Sequence, residues 1–137
     1  MGSHAMKFLL DTNAWIWFVD SPEKLPKKVR EIGRDGANYP LGLSAISVWE
    51  LARKVSLGKL KLSEPLSQWV NRAASLPFIE IVPLTPEIAI ESNQLPGDFH
   101  KDPADQIITA TTRLRRVTLL TADQRLLNYP HVKTLWK

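Results

Sequence analysis

The chain has 137 residues, enough for one domain with a real core, and its 44% hydrophobic and 23% charged residues are ordinary for a globular protein. It has no cysteine, which excludes disulfides, thiolate zinc sites and a cysteine nucleophile, and fits a cytosolic setting. A net charge of +4 and a pI near 9.5 permit nucleic-acid binding without demanding it.

Residues Met1 to Ala5 (Met-Gly-Ser-His-Ala) have the look of an expression-vector scar. Met6 is then the expected natural start, residues 6–137 form a single domain, and His4 stands outside the functional argument. No apolar run approaches the roughly 18 residues that span a bilayer. No signal peptide is visible, so the expected location is the cytoplasm, away from membranes.

Lys7 to Leu10 reads as a short buried strand ending at Asp11. Thr12 or Asn13 can cap a helix through Val19, which Asp20-Ser21-Pro22 stops. A basic helix follows from about Pro26 to Arg34, closed by Asp35-Gly36. Leu41 to Leu43 is a weak second strand. Ser44 caps a helix from Ala45 to Leu57, which Gly58 ends. An amphipathic helix spans Glu64 to Leu76, with Pro65 in its first turn. Phe78 to Val82 is a third strand, and Thr85 caps a helix from Pro86 to Leu95. Asp102-Pro103 opens a helix to Arg115. Val117 to Leu120 and Val132 to Leu135 are strands, with a short helix capped by Thr121 between them.

Short apolar runs alternating with helices predict an α/β fold, a parallel sheet of about four to five strands covered on both faces. Such sheets bind ligands outside the carboxyl ends of their strands. Four acids stand at or near those junctions: Asp11, Glu50, Asp105 and Asp123. Each also has a plainer explanation. Asp11 can cap the next helix, although Thr12 and Asn13 are available for that. Glu50 can be a surface glutamate, and spacing alone favours that. Asp102 is fully explained as the cap of its helix, with Pro103 in the first turn; capping explains Asp105 only in part. Asp123 can complement a helix dipole, while Thr121 and Gln124 fit a capping box.

Gathered together, four carboxylates repel one another and protonate unless a cation lies among them. An all-oxygen set suits Mg²⁺ or Mn²⁺ and not zinc. Such an ion activates water for phosphodiester cleavage. Basic residues cluster at Lys24, Lys27, Lys28, Arg30 and Arg34, at Arg53, Lys54, Lys59 and Lys61, and at Arg113, Arg115 and Arg116. Singly, each cluster reads as a solvated helix face; together, beside an acidic site, they make a polyanion substrate plausible.

Leu10-Asp11-Thr12-Asn13, Ser44 to Glu50, Asp102-Pro103-Ala104-Asp105 and Leu120-Thr121-Ala122-Asp123 together resemble a PIN-domain protein, and more narrowly the VapC toxin ribonucleases of type II toxin–antitoxin systems. The resemblance runs from about Met6 to Trp136. It implies a PIN-like three-layer α/β/α sandwich and endonucleolytic RNA cleavage dependent on Mg²⁺, with Mn²⁺ as a substitute. It implies Asp11 and Asp105 as the strongest metal ligands, Glu50 and Asp123 completing the catalytic set, and Asn13 and Thr121 as supporting hydrogen-bonding positions. It also implies a homodimer and a small cognate antitoxin whose C-terminal segment covers the groove. The chain departs from the family's frequent His at Asn13 and frequent Arg at Gln106.

Five tryptophans read mainly as core, with one or two left for a groove or dimer contact. No phosphate-binding Gly-rich loop or Gly-x-Ser-x-Gly elbow is present, and His100 and His131 lack metal spacing. A phosphatase built on Asp11 lacks its second acid at Asn13. The remaining alternative is a catalytically silent binding module of the same fold.

Overall fold

Five short parallel strands form one sheet in the computed structural model of this chain, which describes residues 5–137. They are β1 (Phe8–Leu10), β2 (Leu41–Ser44), β3 (Ile79–Val82), β4 (Thr118–Leu120) and β5 (Thr134–Leu135), in the order β3-β2-β1-β4-β5. The helices are α1 (Thr12–Asp20), α2 (Lys27–Arg34), α3 (Ala45–Ser56), α4 (Leu66–Ala74), α5 (Pro86–Ser92), α6 (Pro103–Arg115) and α7 (Gln124–Leu127). His4 lies outside the described residues.

Period-2 alternation sorts the strand residues into two cores. Leu10, Leu41, Leu43 and Leu120 pack with Trp15, Val29, Leu51, Trp69 and Ala73 on the α1, α2 and α4 side. Leu9, Leu119 and Val82 pack with Ile88, Ile108 and Ala110 on the α5 and α6 side. Both faces of the sheet are covered, which is why β1 and β4 are apolar throughout their centres. The result is the predicted three-layer α/β/α sandwich with a parallel sheet.

A Cβ would meet close neighbours at Gly33, against the Phe18 ring, and at Gly42. A Cβ on Gly42 of β2 would lie 2.7 Å from Leu9 Cδ1, on the strand paired with it. The central pair can therefore keep its register with Leu9 opposite Gly42.

Several predicted boundaries shift for local reasons. Helix α5 stops at Ser92 and not at Leu95, because Ser92 Oγ and Asn93 Nδ2 both donate to the Ala89 carbonyl. Those bonds satisfy an orphan carbonyl and end the helix early. Helix α4 begins at Leu66 with Pro65 as its flanking residue, and α2 likewise begins after Pro26. Gly58 takes a positive φ of 72° just beyond α3, as its stop position requires.

The aromatic core of the first face rests on Trp15 and Trp69, both fully buried. Their rings meet edge to face at 5.2 Å between centroids. Trp15 Nε1 donates to the Ala73 carbonyl, and Trp69 Nε1 donates to Asp20 Oδ2 at 2.8 Å. Trp69→Ala removes the ring contact and the tie between α4 and the end of α1. It is expected to cost about 3–5 kcal/mol in urea unfolding; a loss below about 1 kcal/mol would contradict this packing account.

Candidate active site

Register brings the ends of β1, β2 and β4 to one edge of the sheet. Leu10 pairs with Leu43 and with Leu120, so the residues that follow these strands emerge side by side. Asp11 follows β1, Asp123 lies three residues beyond β4, and α3 carries Glu50 away from the end of β2. Asp105 joins them from the first turn of α6. Its backbone N–H donates to Asp102 Oδ1 at 3.2 Å, so Asp102 is the cap that aims this turn.

All four acids line one pocket of about 230 Å³, together with Thr12, Asn13, Lys54, Asp102 and Arg125. Thr121 sits behind that lining, fully buried, and donates to Asp11 Oδ2 at 2.5 Å. The same hydroxyl accepts from the Asp123 N–H at 3.0 Å, so one threonine couples two of the acids.

Two sequence expectations about caps are corrected here. Asp11, and not Thr12 or Asn13, caps α1: its Oδ1 accepts from the Ala14 N–H at 2.8 Å. Asp123, and not Thr121, caps α7, with Oδ1 accepting from the Arg125 N–H at 2.9 Å. The acids are thus caps and pocket residues at once. Thr12 is freed by this arrangement; its hydroxyl donates to Glu50 Oε1 at 2.5 Å and lies 2.9 Å from Ser47 Oγ. Asn13 contacts none of the acids through hydrogen bonds; its Oδ1 accepts from Lys54 Nζ at 3.3 Å.

The charges of the cluster are not equivalent. Asp11 is 8% exposed, and burial, with the nearby charges of Asp105 and Glu50, pushes its pKa up to about 6 against the Thr121 and Ala14 hydrogen bonds. Burial also raises Asp105, opposed by its bond to His100. Burial acts to raise Asp123 too, but hydrogen bonds from Arg125 and its positive charge outweigh this and hold Asp123 below the usual carboxylate range.

Two residues that the sequence reading left aside enter the site. His100 Nε2 lies 2.7 Å from Asp105 Oδ2. Arg125 Nη2 reaches Asp123 Oδ2 at 3.0 Å and Asp105 Oδ2 at 3.3 Å. Proximity of His100 to Asp102 in sequence hinted at the first. Nothing in the spacing of Arg125 marked the second, beyond its place two residues after Asp123.

The donor set is all oxygen and suits a hard divalent cation. Desolvated carboxylates with raised pKa values are the groups that such an ion would relieve. Among the described residues, however, no three acidic or histidine side chains lie together as a ready-made ligand group. Thr12 holds Glu50, while Arg125 and His100 hold Asp105 and Asp123. The residue types fit a metal; their present partners occupy the oxygens it would use.

Comparison with known proteins agrees with this fold. The family model described as PIN domain matches residues 8–132. The chain is 30% identical over 130 residues to Ribonuclease VapC22 of Mycobacterium tuberculosis, covering 93% of this chain and 97% of that protein. Its fold is similar to DNA-bound VapBC from Salmonella typhimurium (TM-score 0.71, 21% identity, 95% of this chain and 97% of that one). It is similar also to VapBC2 from Rickettsia felis bound to a promoter DNA fragment (TM-score 0.70, 18% identity, 96% and 100%). A toxin–antitoxin complex from Klebsiella pneumoniae shares the fold at TM-score 0.64 and 20% identity, over 94% and 96%.

Burial of Asp11 has a consequence for stability. Its folded pKa of about 6 lies above the 3.8 of an ordinary aspartate, so the metal-free fold favours the protonated form. The penalty is absent below about pH 4, grows as pH rises, and is complete above about pH 6, reaching about 3 kcal/mol. Asp11→Asn keeps an acceptor for Ala14 and a partner for Thr121 while removing the charge. In EDTA at pH 7.5 it should unfold at higher urea than wild type, and the difference should shrink towards pH 4. Equal or lower stability at pH 7.5 would contradict the burial argument.

Proposed function

The chain belongs to the PIN-domain family, and from that membership we propose that it is the endoribonuclease toxin of a type II toxin–antitoxin system, held in check by a cognate antitoxin. The observation that carries this reading is the convergence of Asp11, Glu50, Asp105 and Asp123 on one pocket at the carboxyl edge of the sheet. The kinship to Ribonuclease VapC22 supports RNA as the substrate class.

Activity in this reading depends on Mg²⁺, with Mn²⁺ as a substitute. Asp11 and Asp105, the two buried carboxylates, are the principal ligands; Glu50 and Asp123 complete the set. When bound, the ion supplies an acidified water and stabilises charge on the phosphodiester oxygens. The protein's own part is positioning. Thr121 fixes the orientation of Asp11 and the backbone of Asp123. Thr12, itself in contact with Ser47, fixes Glu50, placing a carboxylate where it can orient water. Asp102 holds the first turn of α6, and so Asp105, in place.

Partners belong to the same proposal. An antitoxin segment covers the groove beside the pocket, and two copies of the chain associate. Trp49 on α3, with 53% exposure, is the tryptophan left for such contacts, and Leu57, Leu84 and Ile90 are exposed elsewhere on the surface. Among the described residues no helix is long and apolar enough to cross a membrane; we place the protein in the cytoplasm. The alternative, a silent binding module, draws on the lack of three converging ligands.

Cleavage separates the two. Wild type should cut RNA with Mg²⁺ or Mn²⁺ and stop in EDTA. Asp11→Asn and Asp105→Asn should each lose at least about 100-fold in rate while remaining folded. Expressed without a partner, wild type should arrest growth and Asp11→Asn should not. Full cleavage by either variant would sink the mechanism, and a wild type that cuts no RNA would favour the binding module.

A further inference from the structure

The Asp105–Asp123 pair already holds a cation, and that cation is a side chain. Arg125 engages Asp123 through Nε at 3.3 Å and Nη2 at 3.0 Å, and the same Nη2 reaches Asp105 Oδ2 at 3.3 Å. We infer that Arg125 is the resident counter-ion of the metal-free pocket, and that a divalent ion binds by displacing its guanidinium from Asp105 and Asp123. The inference rests on the metal-dependent reading above and adds to it a competing residue of this chain.

Three features carry it. The guanidinium uses both oxygens of Asp123 and one of Asp105, so an ion ligated by these two acids needs positions that Arg125 fills.

Asp123 does not depend on the guanidinium for its placement. Its Oδ1 accepts from the Arg125 backbone N–H, and its own N–H donates to Thr121. The acid therefore keeps its position when the side chain leaves.

Release also costs little. The Arg125 side chain is 58% exposed, so its ion pairs are weakened by screening. Arg113 is different: it is pinned between Glu91 and the His131 carbonyl at a site remote from the pocket.

Calorimetric titration of the whole protein with Mn²⁺ tests the displacement. Arg125→Gln should bind Mn²⁺ about three- to tenfold more tightly than wild type. Arg125→Lys should fall between them, and Lys59→Gln, which removes an exposed charge elsewhere, should match wild type. Loss of charge alone could tighten binding, so a second readout is needed. In wild type, the NMR signal of the Arg125 side-chain Nε–H should move to the position of a free guanidinium as Mg²⁺ saturates the site. Tighter binding by Arg125→Gln together with that movement supports displacement. Equal Mn²⁺ affinity, or an Arg125 signal unmoved at saturation, overturns it while leaving metal dependence intact. Failure of both wild type and Arg125→Gln to bind Mn²⁺ overturns this inference and the metal-dependent reading together.

Discussion

The burial of one carboxylate governs this site. Asp11 ends the central strand, where its backbone N–H still donates to the Leu120 carbonyl across the sheet. Its side chain turns back to cap α1 and accepts from Thr121. Those bonds stabilise the ionised form, yet desolvation exceeds them and the pKa rises to about 6. A group held in this way is fixed in geometry and unsatisfied in charge. Among the described residues no basic side chain bonds to Asp11, and in the proposed metal-dependent reading this is the charge an ion would relieve.

The rest of the architecture delivers the remaining acids to that point. Parallel pairing of β1 with β2 and β4 puts three chain exits at one edge. Each exit begins a helix, and helix starts favour acids because their free N–H groups need acceptors. Asp11 and Asp123 meet that need as caps at two of those exits, Ser44 does so at the third, and Asp102 caps α6. In the proposed mechanism the structural and chemical roles of Asp11 and Asp123 therefore coincide. A capping acid is held rigidly by a backbone N–H, and that rigidity is what a positioned ligand requires.

This coincidence also explains what the sequence could and could not show. Strand and helix identities were legible because β1, β4 and the helices carry clear apolar patterns, and the two faces of the sheet follow from alternation at Leu9–Leu10 and Leu119–Leu120. The caps at Ser44, Thr85 and Asp102 were legible as well, but those at Asp11 and Asp123 were not. Asp11 and Thr12 are neighbours with similar capping ability, and only the strand's direction into α1 decides between them. The contact of Thr12 with Glu50 spans 38 residues of sequence and has no local signature. Arg125 stayed hidden for a related reason: an arginine after an acid in a short helix looks like a dipole-compensating surface charge. Its reach to Asp105, 20 residues away, exists only in three dimensions.

Knowing where the arginines go also narrows the basic surface. The sequence offered three clusters for a polyanion. Arg113 and Arg115 are now committed to Glu91 and Glu80, which removes most of the third cluster's free charge. Arg53 lies over the Trp49 ring at 5.5 Å, still exposed on α3. Lys54 lines the acidic pocket itself, one helical turn beyond Glu50, with its Nζ donating to Asn13 Oδ1. An acidic pocket repels a phosphate backbone unless cations flank it. Lys54 and Arg125, both lining the pocket, provide those cations. The site is therefore better described as four acids bordered by two cationic side chains than as a bare carboxylate cluster.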